Sequence, residues 1–491
     1  YENIRVPCAP SEIDYVFLTH AHIDHSGLLP LLYAGGFRGE IHATQATVSL
    51  CQIMLRDSAH IQEFEAEWRN RKAKRSGGDI YTPLYTMQEA LGSLEHFVPH
   101  PYGEKISIAD GITIRFLDAG HLLGSSSIEI WLEENGISKK LLFSGDIGNF
   151  HQPLIRDPQY ADTADYVIME STYGNRLHEK PKNYIQDFVQ ILLETFQRGG
   201  SVIIPSFAVG RTQELLYFLK QIKDQNLLGK YQDVPIYVDS PLAIEATEIF
   251  QRNKESCFDE EALAYVQRGE NPIGVSGLRT AVTSEASMAI NADTRSKIVI
   301  SASGMCEAGR IKHHLKHNLW KPENTILFVG YQAVGTLGRR LLEGANYVTL
   351  FGESVKVAAQ IRQLQGMSGH ADQKGLELWI QHVQQVKKVF VIHGETTAAD
   401  TFTELLNEQG ISAYAPYSGT EFDVASGQFL HEAEPVYLEK PKSVKASATY
   451  DRLQIALDRV TAYIQNARGY SNKELAKMAD QLTQLCNKWE Q

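Results

Sequence analysis

The amino-acid sequence predicts an α/β protein in which one domain is interrupted by a second, parallel-sheet domain, and three patterns indicate this arrangement. In the first third of the chain, short apolar strands end directly in histidine, aspartate or glutamate. From Pro181 onward, helices and strands alternate and are joined by glycine-rich turns, as in parallel sheets. The first pattern returns in KKVFVIHGE, which ends at Glu395, so we expect this late segment to complete the first domain.

In the first domain, apolar runs predict strands over 13–19, 40–43, 112–117, 140–143 and 165–169. Helices are predicted over 26–32 and from Thr44 onward. The latter ends in a basic run near Arg71, which is more typical of a solvated helix face than of a phosphate site. Strand 356–364 and the strand that ends at His393 are each followed by a helix.

The inserted domain is predicted from the alternation of amphipathic and apolar segments. Its predicted helices and strands are 183–198, 201–205, 209–222, 235–238, 297–301, 311–318 and 325–329. Two further amphipathic helices, over 450–467 and 472–489, would pack on the protein body or on a second subunit, so a homodimer is one expected assembly. The predicted limits are 1–178 and 356–433 for the first domain, 179–355 for the inserted domain and 434–491 for a helical C-terminal extension.

Composition indicates an ordinary globular protein, with 43% hydrophobic and 22% charged residues in 491. No apolar run approaches the roughly 20 residues that span a bilayer, and no signal peptide is visible, so we expect a cytoplasmic protein. The cysteines are widely spaced and never form CxxC, which argues against disulfides or a cysteine-zinc site. We expect them to be reduced and mostly buried: Cys8, Cys51, Cys257, Cys306 and Cys486.

The net charge of −12 disfavours a large nonspecific nucleic-acid surface, because phosphate binding depends on many lysines and arginines. A nucleic-acid substrate would need a local basic groove, which metal ions and a few arginines can supply. Arg211, Arg310 and Arg339 lie in glycine-rich loops that suit phosphate binding, although plain turn geometry is the favoured explanation for each loop taken alone. None of these loops is a Walker loop or a GxGxxG motif, which leaves little support for a nucleotide cofactor.

The strongest chemical signal is LTHAHIDHSG, where a predicted strand runs directly into His20, His22, Asp24 and His25. Four metal-binding side chains in six positions favour a metal site over a histidine-rich surface turn. The two histidines of the extended turn and the Asp–His pair at the start of a helix could serve two neighbouring ions. This one loop could therefore seed a dinuclear centre.

Further candidates follow other predicted strands. His121 stands in AGHLLGS, and Asp146 lies between glycines in SGDIG, where it could bridge two cations or form an ordinary Asx turn. Glu170 ends a strand and by itself could equally be a capping or ion-paired acid. His370 and His393 also lie near strand ends, where open α/β sheets build their sites.

Together, HxHxDH, AGHLLGS, SGDIG, MESTYG, SGHAD and VIHGE, with an α/β insertion before SGHAD, resemble the β-CASP branch of the metallo-β-lactamase superfamily. The resemblance covers roughly 11–429 and is greatest to prokaryotic relatives of the endonuclease subunit of the cleavage and polyadenylation specificity factor, with RNase J as a cousin. It implies an αββα metallo-β-lactamase sandwich with an inserted β-CASP domain. In that fold other strands come before the first one here, so we expect them to be absent from this numbering.

The resemblance also implies roles for individual residues. Two Zn²⁺ ions would share a hydroxide that attacks phosphorus, with His370 as the general acid, Glu170 holding it, and Asp24 serving both as ligand and in catalysis. Ser368 would contact the scissile phosphate, and Arg211 and Arg310, in their glycine-rich loops, are the other expected substrate contacts. The implied ligands are His20, His22 and His121 for one zinc, Asp24, His25 and His393 for the other, and Asp146 as the bridge.

In this branch a histidine at the VIHGE position goes with RNA-processing members, whereas DNA-acting members such as Artemis usually carry valine. His393 therefore favours RNA as the substrate of a zinc-dependent nuclease. We expect single-stranded RNA, because the inserted domain would cover the metals and leave a cleft that must bring one phosphate between two domains. Three alternatives stay open: a DNA-acting β-CASP nuclease, a small-molecule hydrolase of the glyoxalase II type, and a noncatalytic binding subunit. The glyoxalase type would have no use for the insertion or for Glu170 and His370, and the noncatalytic subunit is disfavoured because every expected ligand is present.

Overall fold

A computed structural model describes residues 8–76, 80–178, 183–364, 366–435, 460–461, 464, 467 and 470–489. These form two compact units, one of Tyr1–Pro416 with Thr420–His431 and one of Tyr417–Gly419 with Glu432–Gln491. The second unit contains the helix Asn472–Trp489, as predicted, whereas the helix predicted over 450–467 falls largely outside the described residues. Among the described helices, none has the length and hydrophobicity of a membrane span.

The first unit contains a small and a large sheet that carry the motif loops. The small sheet is parallel, and the large sheet is parallel at one side and antiparallel at the other. In spatial order, the small sheet is Tyr15–Phe17, Glu40–Thr44 and Phe97–His100. The large sheet is Ala413–Tyr414, Lys388–Val391, Tyr166–Met169, Ile137–Phe143, Ser126–Glu134, Ile112–Asp118 and Ile106–Ala109.

An apolar layer joins these two sheets. Phe17 of the small sheet packs against a buried cluster on the large sheet that includes Phe116 and Ile128. Lys388–Val391, from late in the chain, pairs in parallel with Tyr166–Met169 inside the large sheet. The late strand Lys388–Val391 therefore joins the sheet formed by strands from the first third of the chain.

The inserted region forms a separate six-stranded sheet in which every neighbouring pair is parallel. Its central strands are buried on both faces, which explains why they appear as unbroken apolar runs. In spatial order the strands are Leu278–Thr280, Ile236–Val238, Ile298–Ser301, Val202–Pro205, Thr325–Phe328 and Gln360–Gln363. Gln360–Gln363 lies beyond the domain limit that we predicted at 355, and that limit stays a prediction.

The helices begin where local sequence favours them. Asn183 caps Tyr184–Gln197 by accepting a hydrogen bond from the Gln186 N–H, and Ser240 with a following proline starts Pro241–Arg252 in the same way. The other helices described in the first unit are Ile23–Ser26, Leu29–Ala34, Gln45–Ser76, Met87–Leu94, Arg211–Asp224, Lys254–Cys257, Glu260–Gln267, Ser284–Ala292, Ile311–Asn318, Leu337–Leu342, Gln373–Gln381 and Thr396–Glu408. Short 3₁₀ turns lie at Pro10–Glu12 and Gly229–Tyr231. Two antiparallel hairpins are formed by Tyr347–Leu350 with Glu353–Lys356 and by Glu421–Asp423 with Gln428–His431.

The predicted α/β class is confirmed, with local differences. The helix predicted over 26–32 is two short helices, because Pro30 has no N–H to continue the hydrogen bonds of the first one. The strand Ser126–Glu134 was missed, since its serines are typical of turns, yet they are buried in the sheet. Cys51, Cys257 and Cys306 are free and buried, as expected, and Cys8 is free but exposed.

Candidate metal centre and active site

The predicted metal ligands come from loops that follow neighbouring strands. His121, Asp146, Glu170 and His393 follow four strands of the large sheet that all run in the same direction, so their loops meet at one edge. His20 follows Tyr15–Phe17 of the small sheet. The seven predicted ligands form two groups, His20, His22, His121 and Asp146, and Asp24, His25 and His393.

In the first group, three imidazole nitrogens converge. The Nδ1 atom of His22 lies 3.1 Å from Nε2 of His20 and 3.2 Å from Nε2 of His121. Burial lowers the pKa of all three side chains, and that of His22 falls to about 4. At neutral pH these histidines are therefore in the neutral form that binds metal ions.

The second group is more exposed and more strongly charged. Nε2 of His393 lies 3.5 Å from Oδ2 of Asp24, and Nε2 of His25 lies 3.9 Å from the same oxygen. Burial alone would lower the pKa of His393, but the hydrogen bond with Asp24 and the charge of Asp146 outweigh it and raise the pKa to about 9. In the absence of a metal, His393 therefore carries a proton at neutral pH.

Asp146 lies between the two groups and turns one carboxylate oxygen to each. Its Oδ2 atom is 3.4 Å from Nε2 of His20 and 3.6 Å from Nε2 of His121. Its Oδ1 atom is 3.3 Å from both Nε2 of His25 and Nδ1 of His393. This is the arrangement expected of a carboxylate that bridges two cations.

Unsatisfied polar atoms show that this cluster fits metal binding. Oδ1 of Asp146 and Nε2 of His25 are buried and have no hydrogen-bond partner in the described part of the chain. Such atoms are costly to bury unless an ion or water satisfies them. The donors are imidazole nitrogens and carboxylate oxygens, which suit zinc.

Neighbouring groups orient the ligand rings. Nδ1 of His121 lies 2.8 Å from the carbonyl oxygen of Gly369, so an N–H there leaves Nε2 free toward the other ligands. Nδ1 of His20 lies 3.2 Å from the Thr19 hydroxyl. Gln152 also donates to the Gly369 carbonyl, at 3.0 Å. The loop that carries His370 therefore also orients a predicted ligand of the first group.

His370 and Glu170, which are far apart in the sequence, form a hydrogen-bonded pair beside Asp146. Nδ1 of His370 lies 3.1 Å from Oε2 of Glu170 and 4.0 Å from Oδ2 of Asp146. Burial alone would lower the pKa of His370, but the charge and hydrogen bond of Glu170 outweigh it and raise the pKa. The pairing at Nδ1 leaves Nε2 as the nitrogen that can exchange a proton with a ligand.

The side chains predicted to contact substrate already form hydrogen bonds within the protein. The Arg310 guanidinium donates to Asp239, at 2.7 Å, and to two backbone carbonyls of the inserted domain. The Arg211 guanidinium contacts Glu214 and donates to the Met367 carbonyl at 2.7 Å. The Ser368 hydroxyl bonds the backbone of His370, at 3.2 Å. The substrate roles of these residues stay predictions.

Sequence reasoning overlooked several groups around the site. The orienting carbonyl of Gly369 could not be read from residue type, since every residue has one. His178 was overlooked although it ends ESTYGNRLH, and its Nε2 atom lies 2.9 Å from the carbonyl oxygen of His370. Tyr173 lies in the same run, with its ring 6.0 Å from that of His370. The available signals were an aromatic residue and a histidine within the eight residues that follow Glu170.

Comparison with family models divides the chain into three matches. The metallo-β-lactamase superfamily model matches residues 4–168, and the Beta-Casp domain model matches 212–341. A third model, described as the Zn-dependent metallo-hydrolase RNA specificity domain, matches 354–416. Their order agrees with a metallo-β-lactamase domain interrupted by an inserted Beta-Casp domain.

Curated relatives match most of the chain. Ribonuclease TTHA0252 of Thermus thermophilus is 36% identical over 82% of this chain and 86% of its own length. An RNase J-like protein of Methanocaldococcus jannaschii is 31% identical over 83% of this chain and 88% of its own. The transcription termination factor FttA of Methanosarcina mazei is 30% identical over 79% of this chain but only 59% of its own. The chain belongs to the β-CASP branch of the metallo-β-lactamase superfamily, a family of metal-dependent hydrolases that includes nucleases.

Proposed function

We propose that this protein is a zinc-dependent ribonuclease that hydrolyses phosphodiester bonds in single-stranded RNA. The observation that carries the proposal is the Glu170–His370 pair, 3.1 Å apart, directly beside the Asp146 cluster. A ribose oxygen is a poor leaving group and needs a proton as it departs. A thiol leaves far more readily, so a thioester hydrolase of the glyoxalase II type would not need this pair.

In the proposed reaction His370 donates a proton from Nε2 to the departing sugar oxygen. Glu170 accepts a hydrogen bond from Nδ1, which fixes the ring and favours its protonated form. The Glu170 carboxylate is itself held by the backbone N–H of Ile147 and is nearly fully buried. The acid therefore does not have to reorganise during the reaction.

The metal part of the proposal assigns two zinc ions. His20, His22 and His121 would hold one, Asp24, His25 and His393 the other, and Asp146 would bridge them. Bound zinc would lower the pKa of a water molecule and stabilise negative charge on the phosphate oxygens.

RNA is favoured over DNA by His393, where DNA-acting members of the branch usually carry valine. The ribonuclease name of the Thermus relative and the RNA specificity description of the third family model support the same choice. We expect single-stranded substrate, because one phosphate must reach Asp146 and His370 beside the inserted domain. The homodimer and the cytoplasmic location stay predictions.

The test is cleavage of a 5′-labelled single-stranded RNA and of DNA with the same sequence by zinc-loaded protein. We expect RNA to be cut, and His370→Ala to reduce the rate by about 10²- to 10⁴-fold while both zinc ions stay bound. His151→Ala is the matched control, since that side chain is 90% exposed.

Other outcomes would point elsewhere. Cleavage of DNA alone would indicate a DNA-acting β-CASP nuclease. Hydrolysis of a thioester such as S-lactoylglutathione, with neither nucleic acid cut, would indicate a glyoxalase II-type enzyme. Full activity of His370→Ala would contradict the general-acid role.

A further inference from the structure

Aromatic and cationic side chains continue outward from the His370 acid. The Tyr173 ring stands edge-on to the His370 ring at 6.0 Å. The Arg176 guanidinium lies over the Tyr173 ring at 4.4 Å and is 5.6 Å from the Tyr331 ring of the inserted domain. These contacts form a continuous path from the acid to Tyr331.

The backbone of the loop that bears Tyr173 and Arg176 is firmly held. Gln373 donates its backbone N–H to the Arg176 carbonyl at 3.0 Å and its side-chain amide to the Gly174 carbonyl at 2.7 Å. The His178 N–H donates to Asp372 at 3.0 Å. Because these partners directly follow His370, Arg176 keeps a defined position relative to the acid.

A second aromatic side chain follows the strand adjacent to the one that leads to Tyr331. Phe207 and Tyr331 follow the adjacent strands Val202–Pro205 and Thr325–Phe328. The Phe207 ring packs on Gly304, where an added Cβ would come within 3.0 Å of it. The Gln332 amide joins the loops by donating to the Gly304 and Tyr331 carbonyls, at 3.0 and 3.1 Å.

These side chains remain accessible although they are large. Phe207 is 45% exposed and Tyr331 is 43% exposed, and Arg176 is exposed as well. Exposed aromatic rings around an arginine are typical of surfaces that bind single-stranded nucleic acid, where rings stack on bases and the guanidinium binds a phosphate. Arg176 suits this task better than Arg211 or Arg310, whose guanidinium groups are bonded to protein acceptors.

The geometry points to a nucleotide subsite formed by Arg176, Tyr331 and Phe207, which holds the unpaired nucleotides on one side of the scissile bond. Arg176 binds a backbone phosphate, and the Tyr331 and Phe207 rings stack on bases. This inference rests on the proposed ribonuclease function and adds the residues that select an unpaired strand. A base-paired strand cannot offer its base faces to these rings.

Binding measurements test the subsite apart from catalysis. Fluorescence anisotropy with a labelled 12-nucleotide oligouridine would be measured on zinc-loaded protein, with every variant built in a His370→Ala background. We expect Tyr331→Ala and Phe207→Ala each to weaken binding about tenfold, and Tyr331→Phe to keep it. Arg176→Ala should also lower the salt slope of binding by about 0.7, the value for one lost phosphate contact.

Two controls make the result specific. Tyr347→Ala removes an aromatic side chain that is even more exposed than Tyr331, from a hairpin outside this path, and we expect no change. An abasic oligomer of the same length has no bases to stack, so Tyr331→Ala should not weaken its binding further. Equal losses for Tyr331→Ala and Tyr347→Ala, equal losses on the abasic oligomer, or no measurable binding by the parent protein would each overturn the subsite.

The binding result separates this inference from the proposed function. If Tyr331→Ala loses base-dependent binding but protein with His370 intact cuts no RNA, the subsite stands and the ribonuclease proposal fails. If that protein cuts RNA and the Tyr331 and Phe207 variants bind normally, the subsite alone fails.

Discussion

The two ligand groups share Asp146 but differ in burial and in protonation. In the first group the His20 and His121 side chains are almost completely buried. In the second, the His393 side chain is 32% exposed and that of Asp24 is 64% exposed. The histidines of the first group are therefore buried, neutral side chains, whereas the second group lies at the surface where substrate would enter.

This difference determines what each group must do before it can bind a metal ion. The histidines of the first group have lowered pKa values and are already deprotonated at neutral pH. In the second group Asp24 has a pKa of about 2. Partial burial by itself would raise this pKa, but the hydrogen bond from His393 and the charges of the nearby histidines outweigh burial and lower it. Because His393 is protonated, a metal ion in the second group must first displace that proton.

The largest effect should come from Asp146→Ala, because this residue serves both groups. We expect zinc content to fall from two toward zero and RNA cleavage to fall by about a thousandfold or more. Metal analysis after dialysis and single-turnover cleavage would measure this. Asp110→Ala, at an exposed turn, is the matched control. Retained activity with two zinc ions bound would contradict the two-metal arrangement.

A more selective change is His393→Ala, which should break the second group alone. We expect one zinc ion to remain in the buried first group, and the chelator concentration needed to remove it to stay within a few-fold of the unmodified protein. Competition with a zinc-binding dye would resolve the two ions, with His151→Ala as control. Loss of both ions together would show that the groups are not independent.

The smallest effect should be a gradual change of zinc affinity with pH. Since the metal-free His393 pKa is about 9, metal binding in the second group releases a proton at any pH below that value. Its zinc affinity should therefore fall about tenfold for each unit of acidification below pH 9. His22 has a pKa of about 4, so the first group should hold its ion nearly unchanged from pH 8 to 6.

Zinc content in buffered chelator at pH 6, 7 and 8 would measure this difference. The sign follows from the direction of the shift, because a raised histidine pKa means that protons compete with the metal over the neutral range. Equal losses of both ions on acidification would contradict the proposed asymmetry.

The proximity of the predicted ligands could be anticipated from the sequence, because each one lies in a short loop directly after a strand. His20 to His25 stand within six residues, so their proximity follows from local geometry alone, and SGDIG and VIHGE likewise follow apolar runs. The role of the arginines was harder to predict, since a glycine-rich loop has the same composition whether it binds phosphate or forms a plain turn. The contact of Arg310 with Asp239, 71 positions away, could not be anticipated from the sequence.

The sequence by itself determined the α/β class, the interruption by a parallel-sheet domain and the identity of the clustered histidines and carboxylates, because these depend on periodicity and short-range spacing. Tertiary structure alone decided which Asp146 oxygen faces which group, how Glu170 meets His370 across 200 positions, and that Gln360–Gln363 joins the inserted sheet. It also decided that Arg176, rather than Arg211 or Arg310, lies exposed between two aromatic rings. Those outcomes depend on contacts between distant segments, which form only when the sheets pack.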